Sequence, residues 1–321
     1  MISIMKELPL VSVLFLTYNH QEFIREAIES VLDQDYDNVE IVIGDDCSTD
    51  NTWQIVQEYQ DKFPEKIKAF RNFKNLGITE NCNEVLKRCT GKYIAFFSGD
   101  DLFLPGKIKK QIGVMEKDQS VVLCYHDVET FNSGDGRALC YTNHGPGSSR
   151  PIYGSAEKVA RVVIEKGCSF MGVVSVMARR DSMPAKGFDQ RVPVGSDWLM
   201  LIEILAIGGL SKKVEYLPDV LTRYRRHGSN VTGVGYKHTS DEFVTLAIIE
   251  STYPSFVLSV HKGYARVRFS FGARMICNNN FQAGRNFLLL SLLSGWISWK
   301  IFQWLAASYV PSLLRFRKSA N

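Results

Sequence analysis

The sequence predicts an α/β fold in which helices cover both faces of a mainly parallel sheet, followed by a helical extension. Short segments that are almost entirely apolar, such as LVSVLFLT at 10–17 and VEIVIG at 39–44, are typical of buried strands. Segments with apolar residues at helical spacing alternate with them, beginning with 21–34. This alternation favours parallel strands joined by helical crossovers.

The alternation continues through the first half of the chain. After the second strand, Ser48, Thr49 and Asp50 can cap a helix that runs through Tyr59. The elements predicted next are a strand at 67–72, a helix with Ile78, Cys82, Val85, Leu86 and Cys89 on one face, a strand at 92–98, a helix containing Ile108, Ile112 and Met115, and a strand at 121–131.

The second half of the chain is less regular. Residues 132–156 are rich in Gly, Ser and Pro, which predicts a loop and a candidate lid. A helix is predicted near 157–166, and the segment GSDWLMLIEILAIGG predicts a second, buried helix. Helix dominates beyond about residue 238. We therefore expect one domain at 1–235 and a helical extension at 236–321.

Composition excludes several classes of protein. The chain has 321 residues and a formal net charge of +4, which does not indicate a nucleic-acid partner. Its seven cysteines form no CxxC pair, so neither a disulfide framework nor a zinc site is expected. We expect the protein to lie in a reducing compartment. The N-terminus lacks the pattern of a secretory signal, and VSVLFL fits a first buried strand better.

Two pairs of acidic residues follow predicted strands, Asp45-Asp46 and Asp100-Asp101. Ligands of parallel sheets bind beyond the carboxyl ends of the strands, so both pairs can reach one crevice. Adjacent carboxylates repel unless a cation or ligand offsets the charge. Mg²⁺ and Mn²⁺ prefer carboxylate oxygen and often bridge to phosphate, which favours a metal–diphosphate site over helix capping. The phosphate loops GxxxxGK[ST] and GxGxxG are absent.

Several segments in order resemble the nucleotide-binding half of glycosyltransferase family 2, which has the GT-A fold. They are VSVLFLTYNHQEFIREAIESVLDQDY, IVIGDDCSTDNT, NLGITENCN, GKYIAFFSGDD with LPGKIKKQ, and later GSDW at 195–198 and YRRHGSN at 224–230. The resemblance covers roughly residues 8 to 232. It implies that 1–235 is a GT-A catalytic domain, with a nucleotide-binding half at about 8–131 and an acceptor half at about 132–235.

The resemblance also implies roles for single residues. Asp101 and His227 would contact Mn²⁺ or Mg²⁺, and Asp197 would be the general base. Tyr18 would lie against the nucleotide base, and Asp46 would accept a hydrogen bond from it. The full set expected to bind the nucleotide sugar is Thr17, Tyr18, Asn19, Asp46, Asn83 and Asp100.

Other interpretations of these residues stay open from the sequence. Asp197 can be a helix cap, His227 a solvated loop residue and Tyr18 a packing residue. The arginines Arg223, Arg225 and Arg226 can pair with diphosphate or an anionic lipid carrier, or can form an exposed charged face.

The sequence also departs from the family pattern. Ser98 replaces the first acid of the commoner DxDD version, and Cys82 replaces a frequent arginine. The QxxRW signature of processive synthases is absent, which favours transfer of single sugars.

By this resemblance we expect an inverting, metal-dependent glycosyltransferase. It would move one sugar from a nucleotide-diphospho-sugar to a glycan or polyprenyl-linked acceptor in bacterial surface polysaccharide synthesis. The expected donor is a UDP-sugar. A sugar-nucleotidyltransferase-like enzyme and a non-catalytic nucleotide-binding module are the alternatives.

The segment 287–310 is apolar and aromatic and is long enough to span a bilayer as a helix. Lys300, Gln303 and three tryptophans suit a membrane interface better, and the basic cluster Arg315, Arg317 and Lys318 favours anionic lipid. An interfacial helix ranks first, a helix packed on the catalytic domain second and a span third. We therefore expect a cytoplasmic protein, peripheral on the inner face of the cytoplasmic membrane.

Overall fold

The structure is a computed structural model that describes residues 8–144, 150–207, 209, 211–230, 235–295 and 297–310, with the backbone alone for 235–239. The chain divides into two compact units. We call Met1–Ala160 with Cys168–Val234 the sheet unit, and Arg161–Gly167 with Gly235–Asn321 the helical unit.

The sheet unit contains a mixed sheet with strand order β3-β2-β1-β4-β9-β6-β10-β5. In addition, β7 pairs with β6, and β8 pairs with β10. The described strands are β1 (Val11–Thr17), β2 (Val39–Asp45), β3 (Ile67–Arg71), β4 (Tyr93–Ser98), β5 (Leu102–Phe103), β6 (Val121–Asn132), β7 (Ala138–Tyr141), β8 (Gly154–Ser155), β9 (Met177–Arg179) and β10 (Lys213–Arg226).

The predicted alternation of strands and helices is confirmed in the first half of the chain. Strands β1, β2, β3 and β4 are parallel, and β1 lies between β2 and β4 with Val13 beside Ile41 and Ala95. Phe15 and Phe97 pack edge to face in the core. The helices that begin in this unit are α1 (Ile24–Leu32), α2 (Thr52–Lys62), α3 (Ile78–Leu86), α4 (Lys107–Lys117), α5 (Ala156–Lys166) and α6 (Ser196–Ile207).

The prediction of a loop at 132–156 is wrong in part. Strand β7 lies within it and pairs antiparallel with β6, and β8 pairs with β10. The Gly- and Asp-rich turn after Asn132, with Gly136 at φ +70°, lets the chain reverse and form the hairpin. Part of the candidate lid, residues 145–149, lies outside the described residues.

Strand β10 is the longest strand in the described part of the chain. Its polar and apolar residues do not alternate regularly along the sequence. It runs parallel to β6, with Arg225 beside Phe131, and antiparallel to β5, with Arg223 beside Leu102. This pairing carries the end of β10 to the residues that follow β4.

The helical unit contains α7 (Gly235–Thr252), α8 (Val257–Cys277), α9 (Phe281–Leu293) and α10 (Trp299–Tyr309), together with the end of α5. Helices α8 and α9 cross closely at two glycines, because a Cβ at Gly272 would lie 2.9 Å from the Gly284 carbonyl oxygen. A small core of Ile276, Leu288 and Ile301 joins α8, α9 and α10.

The segment 287–310 does not form one helix. It is interrupted after Leu293 and resumes as α10 at Trp299, because Gly295 takes φ +85° and Ser298 caps the next helix. Within the described residues no single helix is long and apolar enough for a membrane span. The helices Ser240–Thr252 and Pro254–Cys277 meet that standard only as a pair, which is bent by 119°.

Candidate active site

The ends of four strands bring the predicted site residues to one edge of the sheet. Thr17 ends β1, Asp46 follows β2, Asp100 follows β4 and His227 follows β10. Strands β1, β2 and β4 are parallel, and β9 lies antiparallel between β4 and β6. Because β10 is parallel to β6, it runs in the same direction as β4, and these carboxyl ends share an edge.

The loops after β1 and β2 are locked together by hydrogen bonds. The Asn19 backbone N–H donates to Ser48 Oγ (2.9 Å), and Asn19 Oδ1 accepts from the Thr49 N–H (2.8 Å). The His20 N–H donates to Thr52 Oγ1 (2.8 Å). Asn19 adopts φ +54°, a conformation that asparagine tolerates well among non-glycine residues. Tyr18 is left 42% exposed at the tip, where a flat ligand can lie against it.

Asp46 anchors the loop that follows β3. Its Oδ1 accepts hydrogen bonds from Asn72 Nδ2 (2.9 Å) and the Leu76 N–H (2.8 Å), and its Oδ2 accepts from the Gly77 N–H (2.9 Å). The carboxylate is therefore held at this edge, and one acceptor site on Oδ2 remains for a donor such as a base N–H. Its contact with the nucleotide base stays a prediction.

Asp100 is at the centre of a polar cluster. Its Oδ2 lies 3.0 Å from His227 Nε2, 3.4 Å from Asn230 Nδ2 and 4.0 Å from His20 Nε2, and Ser98 Oγ donates to its Oδ1. Burial acts to raise the pKa of Asp100, but the hydrogen bond from His227, the His20 charge and the Ser98 hydroxyl outweigh it and hold the pKa below its ordinary value. Asp100 is therefore stabilised as a carboxylate.

Asp101 is in the opposite situation. It is buried, its Oδ1 accepts from the Arg225 N–H (2.9 Å), and its Oδ2 has no hydrogen-bond partner in the described part of the chain. Burial, and then the charge of Asp100, raise the pKa of Asp101 well above its ordinary value. A buried carboxylate oxygen without a partner requires an explanation, and a bound cation is one that relieves both causes.

The residues present fit a divalent ion that is shared with a ligand. Among the described residues, no three His, Cys, Asp or Glu side chains form a cage able to hold a metal by themselves. Mg²⁺ and Mn²⁺ sites at phosphates commonly use one or two carboxylates and take their other ligands from phosphate and water. The unpartnered Asp101 oxygen beside the Asp100–His227 pair matches that donor set.

The sequence left the role of Arg225 open between pairing with an anionic group and an exposed charged face, and the structure gives it a definite place. Its side chain is buried between the rings of Phe23 and Phe131, at 4.9 and 4.7 Å from their centroids. Its Nη2 donates to Glu26 Oε2 (2.6 Å) and its Nε to the Asp100 carbonyl (2.8 Å). For Arg225 the idea of an exposed charged face is wrong, because its guanidinium is enclosed by these partners.

Asp197 lies in the first turn of α6, where its Oδ1 accepts from the Trp198 N–H (2.8 Å). The preceding Ser196 accepts a hydrogen bond from Thr79 Oγ1 (2.7 Å), which ties the start of α6 to α3. Burial raises the pKa of the Cys82 thiol, and the charges of Asp197 and Asp46 raise it further. The Thr79–Ser196 contact places the neighbouring Asp197 near the start of α3, and its role as base stays a prediction.

Two residues that were predicted to bind the nucleotide sugar make hydrogen bonds within the protein. Asn83 pairs with the backbone of Phe188 through both amide atoms, Nδ2 to O (2.9 Å) and Oδ1 from N–H (2.7 Å). Thr17 Oγ1 lies 3.3 Å from His20 Nδ1. Both residues are buried, and their contact with a nucleotide sugar stays a prediction.

Sequence reasoning missed His20 and Asn230. Both lie beside Asp100, and Asn230 also donates from Nδ2 to the Arg225 carbonyl (3.1 Å). Both residues belong to the quoted motifs TYNH and YRRHGSN, so their position in these motifs was the available signal.

Comparison with known proteins agrees with this geometry. Residues 12–171 match the family model "Glycosyl transferase family 2". The chain is 29% identical over 231 residues to the uncharacterized protein Rv1520 of Mycobacterium tuberculosis, covering 70% of this chain and 61% of that relative. The chain therefore spans less than two thirds of that relative's length. It is also 40% identical over 107 residues to the putative teichuronic acid biosynthesis glycosyltransferase TuaG of Bacillus subtilis, covering 33% of this chain and 42% of TuaG.

Two solved structures have the same fold. S. aureus TarS 1–349 in complex with UDP-GlcNAc superposes with a TM-score of 0.65 at 16% identity, covering 96% of this chain and 89% of that one. The mannosyltransferase PcManGT from Pyrobaculum calidifontis, in complex with GDP-Man and Mn²⁺, gives 0.61 at 17% identity, covering 96% and 81%. These likenesses show that the chain has the GT-A fold. The match of residues 12–171 to the family model shows that it belongs to glycosyltransferase family 2.

Proposed function

We propose that this protein is an inverting glycosyltransferase that moves a single sugar from a nucleotide-diphospho-sugar to a hydroxyl of a glycan or polyprenyl-linked acceptor. The proposed donor is a UDP-sugar. The observation that carries the proposal is the buried, unpartnered Asp101 oxygen beside the Asp100–His227 pair, at the edge where the loops of Tyr18 and Asp46 meet. The ligands named for TarS and PcManGT support a nucleotide-sugar donor. The name of TuaG supports a role in polysaccharide synthesis. The inner face of the cytoplasmic membrane, as the place of this activity, is part of the proposal.

The leaving diphosphate needs positive charge as the glycosidic bond to it breaks. Asp101, with Asp100 and His227, would hold the Mn²⁺ or Mg²⁺, which when bound supplies Lewis-acid stabilisation of that charge. His227 Nε2 already faces Asp100 at 3.0 Å, and Phe23 packs against its ring at 4.7 Å between centroids. The imidazole is therefore oriented before a ligand arrives.

The acceptor hydroxyl must lose its proton as it attacks the anomeric carbon. In the proposed mechanism Asp197 takes this proton as general base, on the face of the sugar opposite the leaving group, and the anomeric centre inverts. The Thr79–Ser196 hydrogen bond holds the start of α6, which carries Asp197. The base is therefore supported by buried contacts and does not depend on a loop.

Binding and chemistry are tested separately. UDP with Mn²⁺ should raise the melting temperature by mass action, and Asp101→Ala should abolish that shift. Asp197→Asn should keep the shift and lose transfer of sugar from a panel of nucleotide-sugars by at least about 100-fold. As a control, Asp219→Asn alters an exposed acid paired with Lys110 and should change neither property.

Each result has a consequence for the proposal. No stabilisation by any nucleoside diphosphate with Mn²⁺ would overturn the donor site. Transfer by Asp197→Asn at the wild-type rate would remove Asp197 as the base. Stabilisation by UDP without transfer or hydrolysis of any donor would favour the non-catalytic binding module, and release of diphosphate from a nucleoside triphosphate and a sugar phosphate would favour a nucleotidyltransferase.

A further inference from the structure

Exposed apolar side chains are concentrated where α9 ends and α10 begins. Leu293, Ile297 and Trp299 are 84%, 81% and 74% exposed. Together with Leu289, Leu290 and Phe302, which are also exposed, we call them the apolar tip. Leaving six large apolar side chains in water is unfavourable, and their concentration at one helix junction is typical of a surface that contacts something else.

The tip occupies one end of its helices. Leu289 and Leu293 lie one turn apart at the end of α9, and Trp299 and Phe302 lie in the first turn of α10. The exposed residues at the other end of α9 are polar, Gln282 and Asn286. The exposed surface of α9 is thus polar at its start and apolar where it meets α10.

Two basic residues lie next to the tip. Lys300 is exposed beside Trp299, and Arg268 of α8 reaches the turn between the helices by donating to Ser294 Oγ. From residue 251 to residue 321 the sequence contains nine Lys and Arg and no Asp or Glu, although the whole chain carries only +4. An apolar tip on a stretch of chain without acidic residues complements the surface of an anionic bilayer.

We propose that the apolar tip docks the protein on the interface of a membrane that contains anionic lipid, with Leu293, Ile297 and Trp299 inserted among the lipids and Lys300 and Arg268 facing the phosphates. The helical unit alone carries this inference, which does not depend on the proposed sugar transfer. A second copy of the chain is disfavoured as the occupant, because pairing two tips would bring Lys300 and Arg268 close to their own copies without an acid from 251–321 to offset them.

The experiment uses the full chain and measures flotation with vesicles. Vesicles of phosphatidylcholine are compared with vesicles that also contain phosphatidylglycerol, at low and high salt. Wild-type protein should bind the anionic vesicles about tenfold or more tightly than neutral ones, and salt should weaken this binding. The double substitution Leu293→Ser/Ile297→Ser should reduce binding by roughly tenfold or more, and Lys300→Glu should reduce it while lowering its dependence on salt.

Matched controls separate this role from general hydrophobicity. Val257→Ser/Leu258→Ser removes two exposed apolar residues from the first turn of α8, outside the tip, and should change binding by less than about twofold. Thermal unfolding of every variant should stay cooperative, with a melting temperature close to that of the wild type, which shows that the fold persists. Light scattering reports the oligomeric state of each variant.

Three outcomes would overturn the inference. One is equal or absent binding of wild-type protein to the two kinds of vesicle. Another is wild-type vesicle binding by the Leu293→Ser/Ile297→Ser variant. The third is conversion of an oligomer to a monomer by that variant without loss of vesicle binding, which would assign the tip to a second copy of the chain.

Discussion

The backbone N–H of Arg225 donates a hydrogen bond of 2.9 Å to Asp101 Oδ1, across 124 residues of sequence. The side chain of the same arginine donates from Nε to the carbonyl of Asp100 at 2.8 Å. One residue of β10 therefore holds both members of the acidic pair that follows β4. The conformation of the proposed metal site depends on this strand as well as on its own loop.

Replacing Arg225 by alanine should loosen the acidic pair. The substitution removes the Glu26 ion pair, the hydrogen bond to Asp100 and the packing between two aromatic rings. We expect a loss of about 2 to 4 kcal/mol of unfolding free energy, measured by urea titration. UDP–Mn²⁺ should also bind more weakly to Arg225→Ala at a temperature where the variant is folded.

The neighbouring Arg226 supplies the control. It is exposed, so Arg226→Ala should change stability by less than about 0.5 kcal/mol. If Arg225→Ala bound UDP–Mn²⁺ with wild-type affinity, the arginine would have no positioning role and would serve stability alone.

Asp101→Asn should separate stability from ligand binding. In the apoprotein the carboxylate is buried beside Asp100 with one oxygen unpartnered, and both features disfavour the charge. A neutral amide of the same shape keeps an acceptor for the Arg225 N–H, so the apoprotein should melt at the same or a higher temperature. The stabilisation by UDP with Mn²⁺ should be lost. A variant that melts lower and still responds to the ligand would contradict this account of Asp101.

Gly187→Ala tests the buried pairing of Asn83. Gly187 has φ +72°, and a Cβ there would lie 2.3 Å from Asn83 Oδ1, the atom that accepts from the Phe188 N–H. We expect a loss of about 3 kcal/mol or more, from backbone strain and from the broken pairing.

Gly136→Ala is the matched substitution, since its φ is +70° and a Cβ there would meet nothing within 4 Å. It should lose only about 1 kcal/mol, the strain of the backbone. Equal losses for the two variants, measured by thermal or urea unfolding, would show that the Asn83 pairing contributes little.

Lys107 should make stability depend on pH. It is fully buried, with Nζ donating to Gln111 Oε1 (2.7 Å) and lying 4.5 Å from the Phe103 ring centroid. Burial lowers its pKa from the ordinary 10.5 to about 7. Between these values the unfolded chain binds the proton and the folded protein does not, so this group makes stability rise with pH. Below about pH 7 both states are protonated, and the folded state bears the full cost of a buried cation.

Lys107→Met removes that cost. Relative to wild type it should be more stable by about 1 to 3 kcal/mol below pH 7, and the difference should shrink as pH rises toward 10. Urea unfolding of both proteins at about pH 6 and about pH 9 measures it. The lost hydrogen bond to Gln111 shifts both values equally, so a difference that grows with pH would contradict the assignment.

Local patterns in the sequence were sufficient for the first half of the fold. The uniformly apolar segments and helical periodicities before residue 121 predict strands and crossovers that the structure confirms, because parallel strands need these connections. The acidic pairs could be placed at strand ends for the same reason. The β7 hairpin within 132–156 was missed because β7 has only four residues, all exposed, and lies between segments whose Gly, Ser and Pro content favours a loop.

The individual side-chain contacts came only from tertiary structure. No local pattern in the sequence between residues 100 and 227 predicts that Asp100 contacts His227. That contact follows from the pairing of β10 with β6 and β5 over long sequence separations. Strand pairing of this kind is decided by packing of the whole sheet. For the same reason Arg225, which has the composition of an exposed basic run, is enclosed by Phe23 and Phe131.

Sequence alone thus determined the kind of protein: an alternating α/β chain with acids at strand ends and the motifs of one family, all properties that local chemistry encodes. Tertiary structure decided which of those acids is satisfied and which is left with an unpartnered oxygen. The physical reason is that burial and hydrogen bonding depend on neighbours distant in the chain, and at Asp100 and Asp101 those neighbours come from the same end of β10.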